Sequence, residues 1–133
     1  MARKSGRAFG AVNGGFGILF LISAAIQFND PDPVRWTLIW AAAAAACLVR
    51  GRVGWDWLLA GAVCAAALLW AAILAPSALP GLELGDLAKA MQAETPQIEL
   101  GRELLGLLIV AVWMAVLVFV GSRRAGADAG EAL

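Results

Sequence analysis

Residues 55–75 read WDWLLAGAVCAAALLWAAILA, and beyond Asp56 the next charged side chain is Glu83. A transmembrane helix needs about 20 consecutive, mostly apolar residues. This run meets that length with alanine, leucine and tryptophan in continuous succession. Apolar and polar residues do not alternate, which sets aside a barrel of strands. Working outward, three further stretches have the same character. Residues 8–28 are interrupted only by Asn13, Ser23 and Gln27, and residues 33–49 and 104–121 are apolar as well. The stretch 33–49 is the shortest. At 1.5 Å per residue it reaches about 26 Å, so it must stand nearly upright or thin the bilayer around it. The reading is an all-α, integral membrane four-helix bundle. Residues 1–124 form its four-span domain, and residues 125–133 are expected to be a disordered cytoplasmic tail.

Composition agrees. The 133 residues are 62% hydrophobic and 15% charged, with zero net charge and a mean hydropathy of +0.80. Soluble domains hold about half apolar and a quarter charged residues. Disorder needs the opposite balance, and nucleic-acid binding needs a basic excess. The chain has no histidine and no tyrosine, which removes imidazole metal ligation, His-ligated haem, Ser–His triads and histidine proton relays together. Cys47 and Cys64 lie in apolar stretches without CxxC spacing and read as small core hydrophobes. No cofactor is expected. Arg3, Lys4 and Arg7 ahead of the first span resemble the start of a signal peptide, but the apolar run is long for one and no polar mature domain follows.

Orientation follows from the Lys/Arg bias of the short loops. The N-terminal arm, the loop with Arg50 and Arg52, and the tail with Arg123 and Arg124 fall on one side of a four-span arrangement. Both termini are therefore expected in the cytoplasm, in the inner membrane. The outer segments set seven carboxylates against three cations, a net of −4, and the inner segments set seven cations against three carboxylates, a net of +4.

The loops carry helix punctuation. In Gln27-Phe28-Asn29-Asp30-Pro31-Asp32-Pro33, Pro31 biases Asp30 away from helix, and Asp32-Pro33 reads as an N-cap followed by a first-position proline. Trp36 suits either anchoring at the headgroups or packing inward. Leu84, Leu87, Ala88 and Met91 recur at helical spacing, which predicts a short amphipathic surface helix between spans three and four. Thr95-Pro96 then starts the last helix, which to Gly121 is about 39 Å long and longer than the hydrocarbon core. Its first turns stand in the interface and show Glu99, Arg102 and Glu103 on one face. Gly10-x-x-x-Gly14 has the small-xxx-small form. It reads first as close packing inside the bundle and second as a homodimer contact.

Topology brings two separate polar groups to the same side and depth. Gln27, Asn29, Asp30 and Asp32, with Trp36 a turn below, end spans one and two, and Glu99, Arg102 and Glu103 begin span four. Ionisable groups at membrane depth are costly and usually partnered. Two readings follow. Arg102 clamps the tight turn by pairing with one of its aspartates. Alternatively, the surplus carboxylates with the Asn and Gln oxygens bind a polar head group or a hard divalent cation such as Ca²⁺ or Mg²⁺, or act as acid and base. Asp56 is expected to cap span three or to pair with Arg50 or Arg52 nearby.

The two motifs Gln27-x-Asn29-Asp30-Pro31-Asp32 with Trp36, and Glu99-x-Gly101-Arg102-Glu103-Leu104-x-Gly106-Leu107 with Trp113, resemble those of transmembrane family 220, small helical membrane proteins of bacteria and animals. The resemblance runs from span one to span four. Leu100 stands where the family usually has a second glutamate, and Trp40 where a tyrosine is common. The resemblance implies the fold and the pairing of the two outer motifs, and it implies no reaction. The expected function is thus a small multi-pass protein that binds a protein partner or a lipid head group without catalysis, through the outer Asp/Glu/Arg cluster. The alternative is a membrane enzyme or a cation-binding carrier using the same carboxylates. Against the carrier stands the lack of an ionisable residue near any span's midplane.

Overall fold

The computed structural model describes residues 2–80 and 96–133, and the amphipathic segment expected at residues 84–91 lies outside them. Four α-helices follow in order: α1 (Ala2–Ala25), α2 (Pro33–Val49), α3 (Asp56–Ala78) and α4 (Pro96–Glu131). Three segments are long and apolar enough to cross a membrane, Arg3–Asn29, Asp56–Ala78 and Ile98–Glu131, and α2 is a shorter apolar helix. The result is an all-α membrane bundle without strands among the described residues. Its surface is inside-out relative to a soluble protein. Ile18, Ile22, Leu38, Leu69, Ile73, Val112 and Phe119 are all more than half exposed. An apolar surface of that extent is stable in lipid and would aggregate in water.

Small residues set the packing. Ala43, Ala44 and Ala46 on α2 and Ala60, Ala67, Ala71 and Ala78 on α3 are buried, and α4 presents Leu104, Leu107, Val110, Met114 and Leu117. Lipid offers no hydrophobic drive between helices, so close backbone approach and dispersion hold them. The α3–α4 contact is the most extensive and α1–α2 the next. A Cβ added to Gly121 would lie 2.6 Å from the Cβ of Trp57, so glycine is required where α4 crosses the start of α3. On α1 the close approach falls at Gly17, 3.3 Å from the Cβ of Cys47, and not at Gly10 or Gly14, which face open space. The inward stripe of α1 is fixed by its larger side chains, and Gly10 and Gly14 fall off it.

No Cα of α1 comes within 8 Å of a Cα of α4. Side chains bridge the gap. The Trp113 ring stacks on Phe16 at 4.2 Å and on Phe9 at 5.6 Å. Its Nε1–H donates to the buried Asn13 Oδ1 at 3.1 Å, and Asn13 Nδ2 donates to the Cys47 carbonyl at 2.9 Å. Asn13, which in sequence only interrupts an apolar run, thus ties three helices with both its amide nitrogen and its amide oxygen hydrogen-bonded, as a buried polar group requires.

At the end holding both chain termini, the loop after α2 turns at Gly51, whose φ of +75° favours glycine. Asp56 is buried there. It accepts from the backbone N–H of Gly51 at 2.6 Å and of Trp57 at 2.8 Å, and from Arg124 of α4 at 2.5 Å. Its ion-pair partner is therefore not Arg50 or Arg52 but a residue 68 positions away, delivered by the α3–α4 packing. That partner exists because α4 does not stop near Gly121. It runs to Glu131, and the tail expected to be disordered is helical. Ala125, Ala127, Ala129 and Ser122 extend a helix already nucleated, and elongation costs far less than nucleation.

Candidate functional site

At the opposite end, Pro31 does what its position predicts. Asp30 is extended (φ −78°, ψ 147°) and ends the 3₁₀ turn Ile26–Asn29 that closes α1. Its N–H donates to the Gln27 carbonyl, and its Oδ1 accepts from the Asp32 N–H at 2.9 Å. Pro33 then opens α2. Asp32 holds the N-cap position without capping, because its carboxylate pairs with Arg35 three residues on. Both partners are exposed. The expected clamp from Arg102 is therefore not formed. Arg35 reaches Asp32 within one helical turn, whereas Arg102 would have to cross between elements. Arg102 has no ion-pair partner among the described residues.

Between the turn and the start of α4 lies a cavity of about 300 Å³. Of the residues singled out in sequence, Gln27, Asp30, Trp36, Glu99, Arg102 and Glu103 line it, while Asn29 and Asp32 do not. Ser23, Ile26, Trp40 and Gly106 complete the lining. Gly106 already stood in the second motif and Trp40 at a position where the family commonly has tyrosine, and helical spacing could have added Ser23, four residues before Gln27. A Cβ on Gly106 would stand 3.2 Å from the Trp40 ring, so glycine there admits the indole. Trp36 packs inward, buried and stacked on Trp70 at 4.3 Å, and Arg35 lies over the same Trp70 ring. Gln27 spends its Nε2 on the Ser23 carbonyl at 2.9 Å, which leaves its amide oxygen as an acceptor.

Carboxylate oxygens of Asp30, Glu99 and Glu103 all lie within 4.8 Å of one another. Glu99 and Glu103 are one turn apart on α4, and the extended Asp30 backbone brings the third across from the turn. At that separation and an effective dielectric of ~20, two unit charges repel by about 3 kcal/mol. Glu99 is exposed and its share is screened, whereas Asp30 and Glu103 are half-buried. A positive ligand atom would relieve this repulsion. The oxygens could serve as ligands to a hard cation, and Arg102 at the same cavity could meet an anionic group.

The family model described as transmembrane family 220 matches residues 19–119, more than half of the chain. The chain belongs to transmembrane family 220. The matched span contains every residue that lines the cavity, from Ser23 to Gly106. In this family member Asn13 of the three-helix tie and Arg124 of the Asp56 pair fall outside that span. No solved structure matches the chain.

Proposed function

We propose that this chain is a small, non-enzymatic, multi-pass membrane protein whose outer cavity binds a cationic group. The observation that carries this reading is the convergence of Asp30, Glu99 and Glu103 oxygens within 4.8 Å in one half-open cavity. Calcium binds oxygens at 2.3–2.6 Å, so oxygens on its shell can stand up to about 5 Å apart. Magnesium, with oxygens at 2.0–2.1 Å, demands a tighter set. The spacing favours Ca²⁺ as the simplest occupant, with the Gln27 amide oxygen as a further ligand. A binding role is favoured over catalysis because the chain holds no histidine to activate Ser23. It is favoured over transport because no charged residue interrupts the middle of a helix.

In the same reading the protein sits in the inner membrane with both termini in the cytoplasm. The support is the gathering of Arg3, Lys4, Arg7, Arg50, Arg52, Arg123 and Arg124 at one end and of carboxylates at the other.

The test is thermal melting of the purified protein with and without Ca²⁺ or Mg²⁺. At about a hundred times its Kd, Ca²⁺ adds about 2.7 kcal/mol to stability. The shift is expected to be larger for Ca²⁺, to vanish in Asp30→Asn, and to persist in Arg102→Ala. Melting that ignores both ions would refute cation binding.

A further inference from the structure

The end of the bundle opposite the cavity holds more positive charge than it can neutralise internally. Asp56 is the one buried carboxylate among the described residues of that end, and three donors already occupy it: the Gly51 and Trp57 N–H groups and the Arg124 guanidinium. Arg50 stands beside this pair without sharing in it. Its guanidinium carbon lies 4.2 Å from the centroid of the Phe9 ring, and its Nε is buried with no hydrogen-bond partner among the described residues. Burial first, and then the Arg124 charge, push the Arg50 guanidinium below its ordinary range, while Asp56 draws it back. Two guanidiniums therefore flank one carboxylate, with an unused donor on the second. A buried donor left unpaired is destabilising, more so when it is charged.

We propose that Arg50, with Arg124 beside it, binds the phosphate of an anionic membrane lipid. Arginine suits phosphate because its planar fork matches two oxygens at once. The source is a lipid and not a soluble phosphate because Arg50 caps the end of an apolar helix. Leu48, two residues before Arg50, and Val12, one helical turn after Phe9, are both more than half exposed and offer apolar surface for an acyl chain. The lipid carries a net negative charge, because the site and the exposed Arg3, Lys4, Arg7, Arg52 and Arg123 around it are all cationic. Phe9 serves as the platform. It is held by its stack on Trp113, so the lipid site is coupled to the tie that joins α1 to α4. This site is separate from the outer carboxylates, and its test does not depend on them.

The experiment compares wild type, Arg50→Gln and Arg52→Gln in nanodiscs of phosphatidylcholine, alone or mixed with phosphatidylglycerol. Melting temperature and the lipids retained in native mass spectrometry are the readouts. Both lipids carry a phosphate, but the choline ammonium cancels its charge beside this cationic end, so wild type is expected to retain phosphatidylglycerol about tenfold over phosphatidylcholine, equivalent to about 1.4 kcal/mol. Arg50→Gln loses that preference, and Arg52→Gln on the exposed loop keeps it. Should Arg50→Gln fail to fold, Arg50→Met takes its place. It removes the charge, keeps an apolar stem to lie over Phe9, and is expected to lose the same preference. An unchanged preference in the Arg50 variant overturns the proposal, as does an equal loss in Arg52→Gln, which would mean diffuse attraction only. Stabilisation in detergent by inorganic phosphate equal to that by phosphatidylglycerol also overturns it, because the ligand would then not be a lipid.

Discussion

Replacing Asp56 should be among the most damaging single changes in this protein, and the size of the effect can be worked out from its partners. The carboxylate is 4% exposed and accepts three hydrogen bonds, one of them from a guanidinium. Asp56→Ala strands the backbone N–H groups of Gly51 and Trp57, at about 1–3 kcal/mol for each donor left unpaired, while Arg124, 37% exposed, loses only a solvent-screened partner. The cost of Asp56→Ala should therefore be about 3–5 kcal/mol. Asp56→Asn keeps a single acceptor oxygen. If that oxygen serves Trp57, the amide NH₂ faces the Gly51 N–H and Arg124. If it is turned the other way, the NH₂ faces the Trp57 N–H. Either way one backbone bond and the ion pair are lost, for about 2–4 kcal/mol. Arg124→Gln is milder, about 1–2 kcal/mol, because Arg124 is 37% exposed and solvent already screens it, and Asp56 keeps its two backbone donors. The double variant Asp56→Ala/Arg124→Gln should be no worse than Asp56→Ala alone, since the stranded arginine goes with its partner. Reversible unfolding by titration with a denaturing detergent, followed by fluorescence of Trp57 and its neighbours, measures all four. A cost below about 1 kcal/mol for Asp56→Ala, or a cost for Arg124→Gln equal to it, would refute the claim that this pair locks α3 to α4.

Three other outcomes are expected. Gly121→Ala places a methyl 2.6 Å from the Trp57 Cβ and 3.4 Å from its Cα, forcing α3 and α4 apart and costing about 1–3 kcal/mol. Gly61→Ala, with Val118 at an ordinary 3.7 Å, should be neutral or slightly stabilising in the same unfolding assay. A reporter active only in the periplasm, fused after Ala78, should be active if the charge bias sets the orientation. An inactive fusion contradicts it.

Much of the fold was legible because the bilayer imposes it. Continuous apolar runs must be helices in lipid, since no water is present to satisfy backbone groups. Pro31, Pro33 and Pro96 mark helix ends through their own backbone chemistry, so α2 occupies residues 33–49 and α4 starts at Pro96, as their spacing predicts. Pro76 directly follows the apolar run 55–75 but does not end the helix. It sits in the last turn of α3, where few carbonyls remain to be satisfied, and the helix continues to Ala78. The tail was misread for a related reason. Its glycines and acidic residues look like a disordered segment in isolation, yet it follows directly on a helix that has already formed.

The sequence by itself determined the helices, their alternation through a membrane and the segregation of charge to two ends, because these depend on hydropathy, proline geometry and span count. From the alternation alone it follows that the Asp30 turn and the Glu99–Glu103 turn share one end. Only the tertiary structure decided which charges meet. Arg35, not Arg102, takes Asp32; Arg124, not Arg50 or Arg52, takes Asp56; and Asn13 finds Trp113 across 100 residues. Those pairings depend on how each helix is rotated about its axis and how closely the backbones approach. Small residues such as Gly17, Gly106 and Gly121 fix both through contacts that no linear spacing displays.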